Sequence, residues 1–378
     1  MTSPALSAVI LAAGEGTRMR SDRPKPLHLL CGRAMLLYVI DALAACDIGR
    51  AVVVVGHGAE RVTKKLQEDG PDLMLDFVEQ RVQRGTGDAV SVGLTAFGDD
   101  LLDDDLDLLV LPGDTPLLRP ETIAALVAEH RSSDAACTVL TARLVDPTGY
   151  GRIVRGKEDK VRRIIEQSDA TPDELAIDEI NTGIFCFRRS LLAPALRRLS
   201  PENVQGEYYL TDVVSVLAEA GHPVSTYVAP DPSETHGVND RVQLARAEAE
   251  LRHRTNQAWL RRGVTMVDPA ATYVDATVEL APDVTLFPGV VLQGRTMVGA
   301  ASELGPGTRL VDCVLGERVT IEATVGRDAE VGDDARVGPF AVLEPGAQIP
   351  AGAVTGGFYT ASSSESPTGG DAATGSEG

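Results

Sequence analysis

Between residues 278 and 349 aliphatic residues recur at every sixth position, a spacing that neither the 3.6-residue period of a helix nor the two-residue period of a strand produces. Val278, Val284 and Val290 form one series, Val298, Leu304 and Leu310 a second, and Val319, Val325, Val331, Val337, Leu343 and Ile349 a third. The period fits a parallel β-helix, in which each short strand turns one aliphatic side chain inward and Gly, Asp or Pro makes the corner. Three strands complete one coil of the left-handed form, so twelve such positions predict about four coils. The offsets of eight and nine residues between the series predict small bulges or loops. The competing reading is an irregular β-rich domain.

Upstream the pattern is different. Short apolar runs alternate with helical stretches, as expected of an α/β domain with a mainly parallel sheet. Strands are predicted at Ala8 to Leu11, Ala51 to Val55, Leu73 to Val78, Leu108 to Leu111, Ala136 to Thr141 and Ile184 to Phe187. Helices are predicted at Ala34 to Ala45, Asp88 to Ala96, Glu121 to Arg131 and Thr211 to Ala220. Arg241 to Gly263 contains no Pro and ends on its only Gly, which reads as a connecting helix. The expected layout is therefore an α/β domain over residues 1–240, the helix over 241–263, the β-helix over 264–355, and a disordered tail of Ser, Gly, Thr and Glu over 356–378.

The formal net charge of -20 argues against nonspecific binding to nucleic acid or to anionic membranes. No stretch is long and apolar enough to span a bilayer, and no Lys or Arg precedes the apolar run Ala5 to Ala13, so neither an anchor nor a secretory leader is expected. Cys31, Cys46, Cys137, Cys186 and Cys313 are scattered without paired spacing, which suits reduced thiols in the cytoplasm.

Against that acidic background, one short segment is basic. The first strand runs into Ala12-Ala13-Gly14-Glu15-Gly16, where small residues let backbone amides approach a ligand, and Arg18, Arg20, Arg23, Lys25 and Arg33 follow against only Glu15 and Asp22. A positive island after a strand and a glycine turn points to an anion site, phosphate above all. The loop is not a dinucleotide fingerprint, because Met19 stands where the third glycine belongs, and the Gly-Lys-Ser/Thr ending of a phosphate loop is absent.

The segment Leu11-Ala12-Ala13-Gly14-x-Gly16-Thr17-Arg18-Met19, followed by Pro24-Lys25-Pro26-Leu27, resembles the signature of sugar-1-phosphate nucleotidyltransferases. Further segments appear in order: Gln80 with Gly85-Thr86-Gly87, Leu111-Pro112-Gly113-Asp114, Gly149-Tyr150-Gly151-Arg152-Ile153, Ile165-Glu166-Gln167, Glu179-Ile180-Asn181-Thr182-Gly183, Glu207-Tyr208-Tyr209-Leu210-Thr211-Asp212 and Gly237-Val238-Asn239. With the hexapeptide region, they resemble the bifunctional N-acetylglucosamine-1-phosphate uridylyltransferase and glucosamine-1-phosphate acetyltransferase family over about residues 5 to 350.

The resemblance implies a Rossmann-like nucleotidyltransferase domain that takes UTP and a sugar 1-phosphate. It assigns Leu11, Ala12, Ala13, Gly14, Gln80, Gly85 and Thr86 to the uridine side, and Arg18 and Lys25 to charge stabilisation during transfer. Gly151, Glu166 and Asn181 would hold the amino-sugar, with Tyr209 and Thr211 nearby, and Asp114 and Asn239 would bind Mg2+. Asp114 also stands out on its own, since it follows the apolar run Leu108 to Leu111 at a strand end, where open α/β sheets place ligands. Without the family, Asn181 and Asn239 read equally as turn residues and Glu166 as an exposed carboxylate. The acidic run Asp99 to Asp107 reads as a solvated loop, and His28 and His57 as structural.

The second half of the family pattern breaks down. No His follows His253, no Lys follows Lys160, and Glu344 stands where the family has an Arg that binds the sugar phosphate. Uridylyl transfer is therefore expected without acetyl transfer. The alternatives are a different sugar 1-phosphate or base, or a noncatalytic paralogue that binds a sugar nucleotide. Left-handed β-helices in enzymes like these usually trimerise, which makes a homotrimer an expectation, although so few coils weigh against it.

Overall fold

In the computed structural model, residues 6–102 and 106–362 are described, and they divide into two units. The first comprises the chain up to His28 with Ala34–Ala247, the second Leu29–Arg33 with the chain from Glu248 on.

The sheet of the first unit begins with β1 (Leu6–Ala12), and its other long strands are β2 (Ile48–Val55), β3 (Leu75–Glu79), β4 (Asp107–Pro112) and β5 (Cys137–Arg143). The hairpin β6 (Arg152–Arg155) and β7 (Val161–Ile165) follows, then β8 (Glu179–Arg188) and β9 (Val224–Val228). Helices α1 (Met35–Ala44), α2 (Ala59–Asp69), α3 (Thr86–Leu94), α4 (Pro120–Ser132), α5 (Arg189–Leu196) and α6 (Asp212–Glu219) connect them, and α7 (Arg241–Arg261) leads out. The order along the sheet is β9-β5-β8-β4-β1-β2-β3, with β6 paired to β8 and β7 to β6. β8 runs antiparallel to both β4 and β5, while β1, β2, β3 and β4 are mutually parallel where they pair.

Apart from Ser7, β1 is apolar because helices cover both of its faces. Ala8, Ile10 and Ala12 join a buried cluster with Leu36, Ile40, Val62 and Leu126, on the side of α1, α2 and α4. Val9 joins the opposite cluster with Val90, Leu192 and Val213, on the side of α3, α5 and α6. Each fully buried aliphatic of this kind contributes about 1.5–3 kcal/mol.

The second unit is a parallel β-helix built from three sheets of five, six and five short strands, hence five complete coils and the beginning of a sixth. This corrects the expected four coils. The first coil, with Met266 and Val274 inside, has no six-residue step between those two positions and escapes a search for the period. The expected bulges are also corrected, because two side chains per strand point inward. Val278 and Leu280, Val284 and Leu286, Val290 and Leu292 are all buried, as are Ser302 with Leu304 and Thr308 with Leu310. The offset of eight is therefore a change from one inward ladder to the other, not an insertion. The offset of nine combines such a change with a shortened coil: Thr285 pairs with Glu303, eighteen positions on, but Glu303 with Thr320, seventeen positions on.

One member of the third series is misplaced for the same reason. Val325 is 52% exposed, and Gly326 takes the inward place, where a Cβ would lie 2.9 Å from Leu310 Cδ2. The β-helix continues into the expected tail, since Thr360 and Ala361 pair with Val342 and Leu343 and Ala361 is buried. Residues 363–378, the rest of that expectation, lie outside the described residues. Ile321, two residues after inward Val319, is fully buried, and Ile321→Val should cost about 0.5–1.5 kcal/mol, read as a lower urea midpoint at unchanged slope.

Leu29–Arg33 is counted with the second unit although the sequence places it in the α/β domain. Cys31 N donates to Glu248 Oε2 at 2.7 Å, and Ala276 N donates to Cys31 O at 2.9 Å.

Candidate functional site

In the first unit, β1 and β4 are neighbours, with Leu11 opposite Pro112, and the strand order turns back at this pair: β2 and β3 lie on one side of β1, β4 on the other. Loops leaving the two carboxyl ends diverge and leave a crevice, the ordinary ligand position in open α/β sheets. Gly113 N donates to Leu11 O at 2.8 Å, and Gly113 sits so close to the first loop that a Cβ would lie 3.3 Å from Ala12 Cβ.

The loop after β1 is held at several points. Met19 is only 1% exposed and anchors it, which explains a large apolar residue in a glycine-rich turn. Gly16 has φ +65°, and a Cβ there would lie 2.7 Å from Lys25 Cβ, so this position needs glycine twice over. Arg241 Nε donates to Met19 O at 3.1 Å, and the same guanidinium lies 3.3 Å from Nδ1 of buried His28. Burial, then Arg241, holds the His28 imidazole below its ordinary pKa. Glycines after β2 let the second loop pack against the first: a Cβ on Gly56 would lie 2.4 Å from Ala13 O, and one on Gly58 2.5 Å from Pro24 Cγ. His57, between them, is exposed.

A cavity of about 430 Å³ opens over these strand ends. Leu11, Ala12, Ala13, Gly14, Gln80, Gly85 and Thr86 line it, together with Arg18, Lys25 and Asp114. Gln80 Nε2 donates to Asp88 Oδ2 at 2.7 Å, and Thr86 Oγ1 accepts from Leu210 N at 3.0 Å. Gly85, at φ +108°, admits the close passage of Tyr208, whose carbonyl oxygen would be 2.6 Å from a Cβ there.

Charged groups meet on one side of this cavity. Lys25 Nζ is hydrogen-bonded to Asp114 Oδ2 and donates to Asn239 Oδ1 at 2.8 Å, while Arg18 Nη2 donates to the same amide oxygen at 3.1 Å. Asn239 is held beside Asp114 because Val238 N donates to Asp114 O at 2.8 Å. Asp114 and Asn239 thus turn one carboxylate oxygen and one amide oxygen toward the same cation. This donor set suits a hard divalent ion that completes its shell with water and phosphate. No cluster of three or more His, Cys, Asp or Glu suited to a metal occurs among the described residues.

The residues expected on the sugar side form a second group. Asn181 N donates to Gly151 O at 2.9 Å, Thr211 Oγ1 donates to Glu166 Oε1 at 3.0 Å, and a Cβ on Gly151 would lie 3.2 Å from Glu166 Oε2. Burial holds the Glu166 carboxyl above its ordinary pKa; the Thr211 hydrogen bond opposes this, and Asp212 and Asp169 add to it. Tyr209 is buried alongside, with its phenol held high by burial. Asn181 Oδ1 accepts from Gly183 N at 3.0 Å, a local turn that lies on the sheet next to Pro112 of the cavity.

Other residues of the site are not among the sequence candidates. Gln83 lines the cavity and donates from Nε2 to Ala13 O at 2.6 Å, and Glu207 lines its far side. The rings of Tyr150 and His236 lie 6.5 Å apart. Burial and then the nearby Asp114 charge raise the Tyr150 phenol, and burial and then Arg246 lower the His236 imidazole. Of the acidic run, Asp107 begins β4 and is paired with Arg131 at 2.7 Å, so it is part of the sheet; residues 103–105 lie outside the described residues.

Residues 8–220 match the family described as the MobA-like NTP transferase domain. The bifunctional protein GlmU of Thermobifida fusca is 45% identical over 322 residues, which cover 85% of this chain and 66% of that protein. The GlmU proteins of Trichlorobacter lovleyi and Streptomyces coelicolor are each 47% identical, over 84% of this chain and 67% and 65% of their own lengths. The chain thus spans about two thirds of the length of the curated relatives it matches.

Proposed function

Since this chain belongs to the bifunctional GlmU family, we propose that it transfers UMP from UTP to N-acetylglucosamine 1-phosphate, releasing pyrophosphate and forming UDP-N-acetylglucosamine. The observation that carries this reading is the convergence of Arg18, Lys25, Asp114 and Asn239 beside the uridine-side residues.

In the transfer, a phosphate oxygen of the sugar phosphate attacks the α-phosphorus of UTP, and the bond from that phosphorus to the bridging oxygen of pyrophosphate breaks. Negative charge accumulates on the phosphoryl oxygens and on the departing pyrophosphate. Arg18 and Lys25 supply positive charge at that point, and the nucleophile is already an anion, so no protein base is needed. Mg2+ held by Asp114 and Asn239 would supply further charge neutralisation and align the phosphates. The backbone of Ala12 to Gly14 and the Gln80 side chain present polar groups toward a base, while Glu166, Asn181 and Thr211 offer the hydrogen-bonding groups that an N-acetylated sugar requires.

Acetyl transfer is not assigned. Glu344 is exposed on the β-helix, and a carboxylate repels the sugar phosphate that the expected arginine would bind. We place the enzyme in the cytoplasm, a reading supported by five cysteines that are all free; no helix among the described residues is long and apolar enough to cross a membrane. We also propose a homotrimer through the β-helix. Exposed Val325 and Val342, with the stacked rings of Phe340 and Phe358 5.2 Å apart, give the β-helix an apolar outer surface suited to self-association. Light scattering should return three times the chain mass, and a monomeric mass refutes the trimer.

The decisive measurement is pyrophosphate release from a panel of nucleoside triphosphates and sugar 1-phosphates. UTP with N-acetylglucosamine 1-phosphate should give the highest kcat/KM, and acetyl-CoA with glucosamine 1-phosphate should give no free thiol. Release with no pair in the panel would rule out catalysis.

A further inference from the structure

The geometry points to Lys25 as the internal competitor of the divalent cation: in the free protein its ammonium fills the cation position between Asp114 and Asn239, and phosphate binding draws it away. This inference rests on the nucleotidyltransferase reading above.

The two oxygens expected to hold the metal are both engaged by one Nζ, through Asp114 Oδ2 and Asn239 Oδ1, and Arg18 takes a second bond from the same Asn239 oxygen. The Lys25 side chain is 14% exposed and that of Asp114 22%, so water competes weakly for this contact. An ammonium is a compact point charge on a flexible stem. The root of the Lys25 side chain passes close over Gly16, where a Cβ would lie 2.7 Å from Lys25 Cβ, and the four-carbon stem carries the ammonium from there to Asp114. Without phosphate, the cavity presents the cations Arg18 and Lys25 to an entering dication, and the single carboxylate among the expected ligands is already neutralised. A triphosphate supplies anions for both cations, frees Asp114 and Asn239, and so couples metal binding to nucleotide binding with positive sign. The lysine thus has two stations, carboxylate when the site is free and phosphate when it is filled, and the metal follows the nucleotide instead of preceding it.

Calorimetric titration of the full chain with Mn2+, without nucleotide, tests this. Wild type should bind Mn2+ weakly, and Lys25→Met should bind it at least about tenfold more tightly because a repelling charge is gone. Lys25→Arg should keep the weak binding, and adding Asp114→Asn to Lys25→Met should abolish the gain. If Lys25→Met does not fold by circular dichroism, Lys25→Gln makes the same comparison. Equal Mn2+ affinity in wild type and Lys25→Met, with Asp114-dependent binding once UTP is added, overturns the competition and leaves the metal site standing. Mn2+ binding indifferent to Asp114 with and without UTP overturns the metal reading itself.

Discussion

Replacing Asp114 with alanine should lower pyrophosphate release from UTP and N-acetylglucosamine 1-phosphate about a hundred- to a thousandfold, with the fold kept. The loss follows from two effects of one carboxylate. Asp114 is the only carboxylate among the proposed metal ligands, and it also sets the resting position of the Lys25 ammonium. Removing a group that organises charge around a transferring phosphoryl costs factors of this size. The fold survives because the structural contact of residue 114 is made by its main chain, whose carbonyl accepts from Val238 N at 2.8 Å and is unchanged in alanine. The Asp114 side chain is 22% exposed, so its removal opens no sealed cavity. Initial rates at saturating UTP and Mg2+, beside a thermal melt, separate the two effects. A rate loss below tenfold at unchanged Tm would mean that Asp114 serves Lys25 alone and holds no metal.

What the sequence reveals of this molecule follows the range of the interactions involved. The loop from Ala8 to His28 is legible because its parts are contiguous: an apolar strand, small residues, then cations. β1, β2 and β4 are legible because strands buried on both faces carry unbroken apolar runs, Ala8 to Leu11, Ala51 to Val55 and Leu108 to Leu111. α2 is not, since only Val62 and Leu66 of its eleven residues are buried and, Ala59 aside, the rest is charged or polar. The antiparallel course of β8 is also hidden, because a strand carries no mark of its direction when both neighbours bury it. In the β-helix the period is plain but its phase is not: two inward ladders share one period, and small residues such as Ser302, Ala335 and Gly326 hold inward places that a search for aliphatics passes over. At the site, Gln83, Gly56, Gly58 and Arg241 act on residues far along the chain. Their spacing to those partners is arbitrary, so no local pattern announces them.

Glu166 is where stability and binding should separate most clearly. In Glu166→Gln the KM for N-acetylglucosamine 1-phosphate should rise about ten- to a hundredfold, the cost of losing hydrogen bonds to a charged acceptor, while kcat falls less. The same substitution should raise the Tm at neutral pH. Burial, reinforced by Asp212 and Asp169, holds the Glu166 carboxyl above its ordinary pKa despite the Thr211 hydrogen bond, so the folded protein binds this proton more tightly than the unfolded chain does. The linked contribution to stability is complete below the unfolded carboxylate range and is lost as pH rises through the raised folded value. Ionised Glu166 therefore penalises folding at neutral pH, and glutamine, which still accepts from Thr211, does not. The Tm gap between variant and wild type should be widest at neutral pH and close as the solution is acidified. A gap that is constant with pH would place the effect in packing instead of charge. A lower Tm for the variant at every pH would mean that the carboxylate is stabilised by its surroundings, contrary to the sign given by its burial.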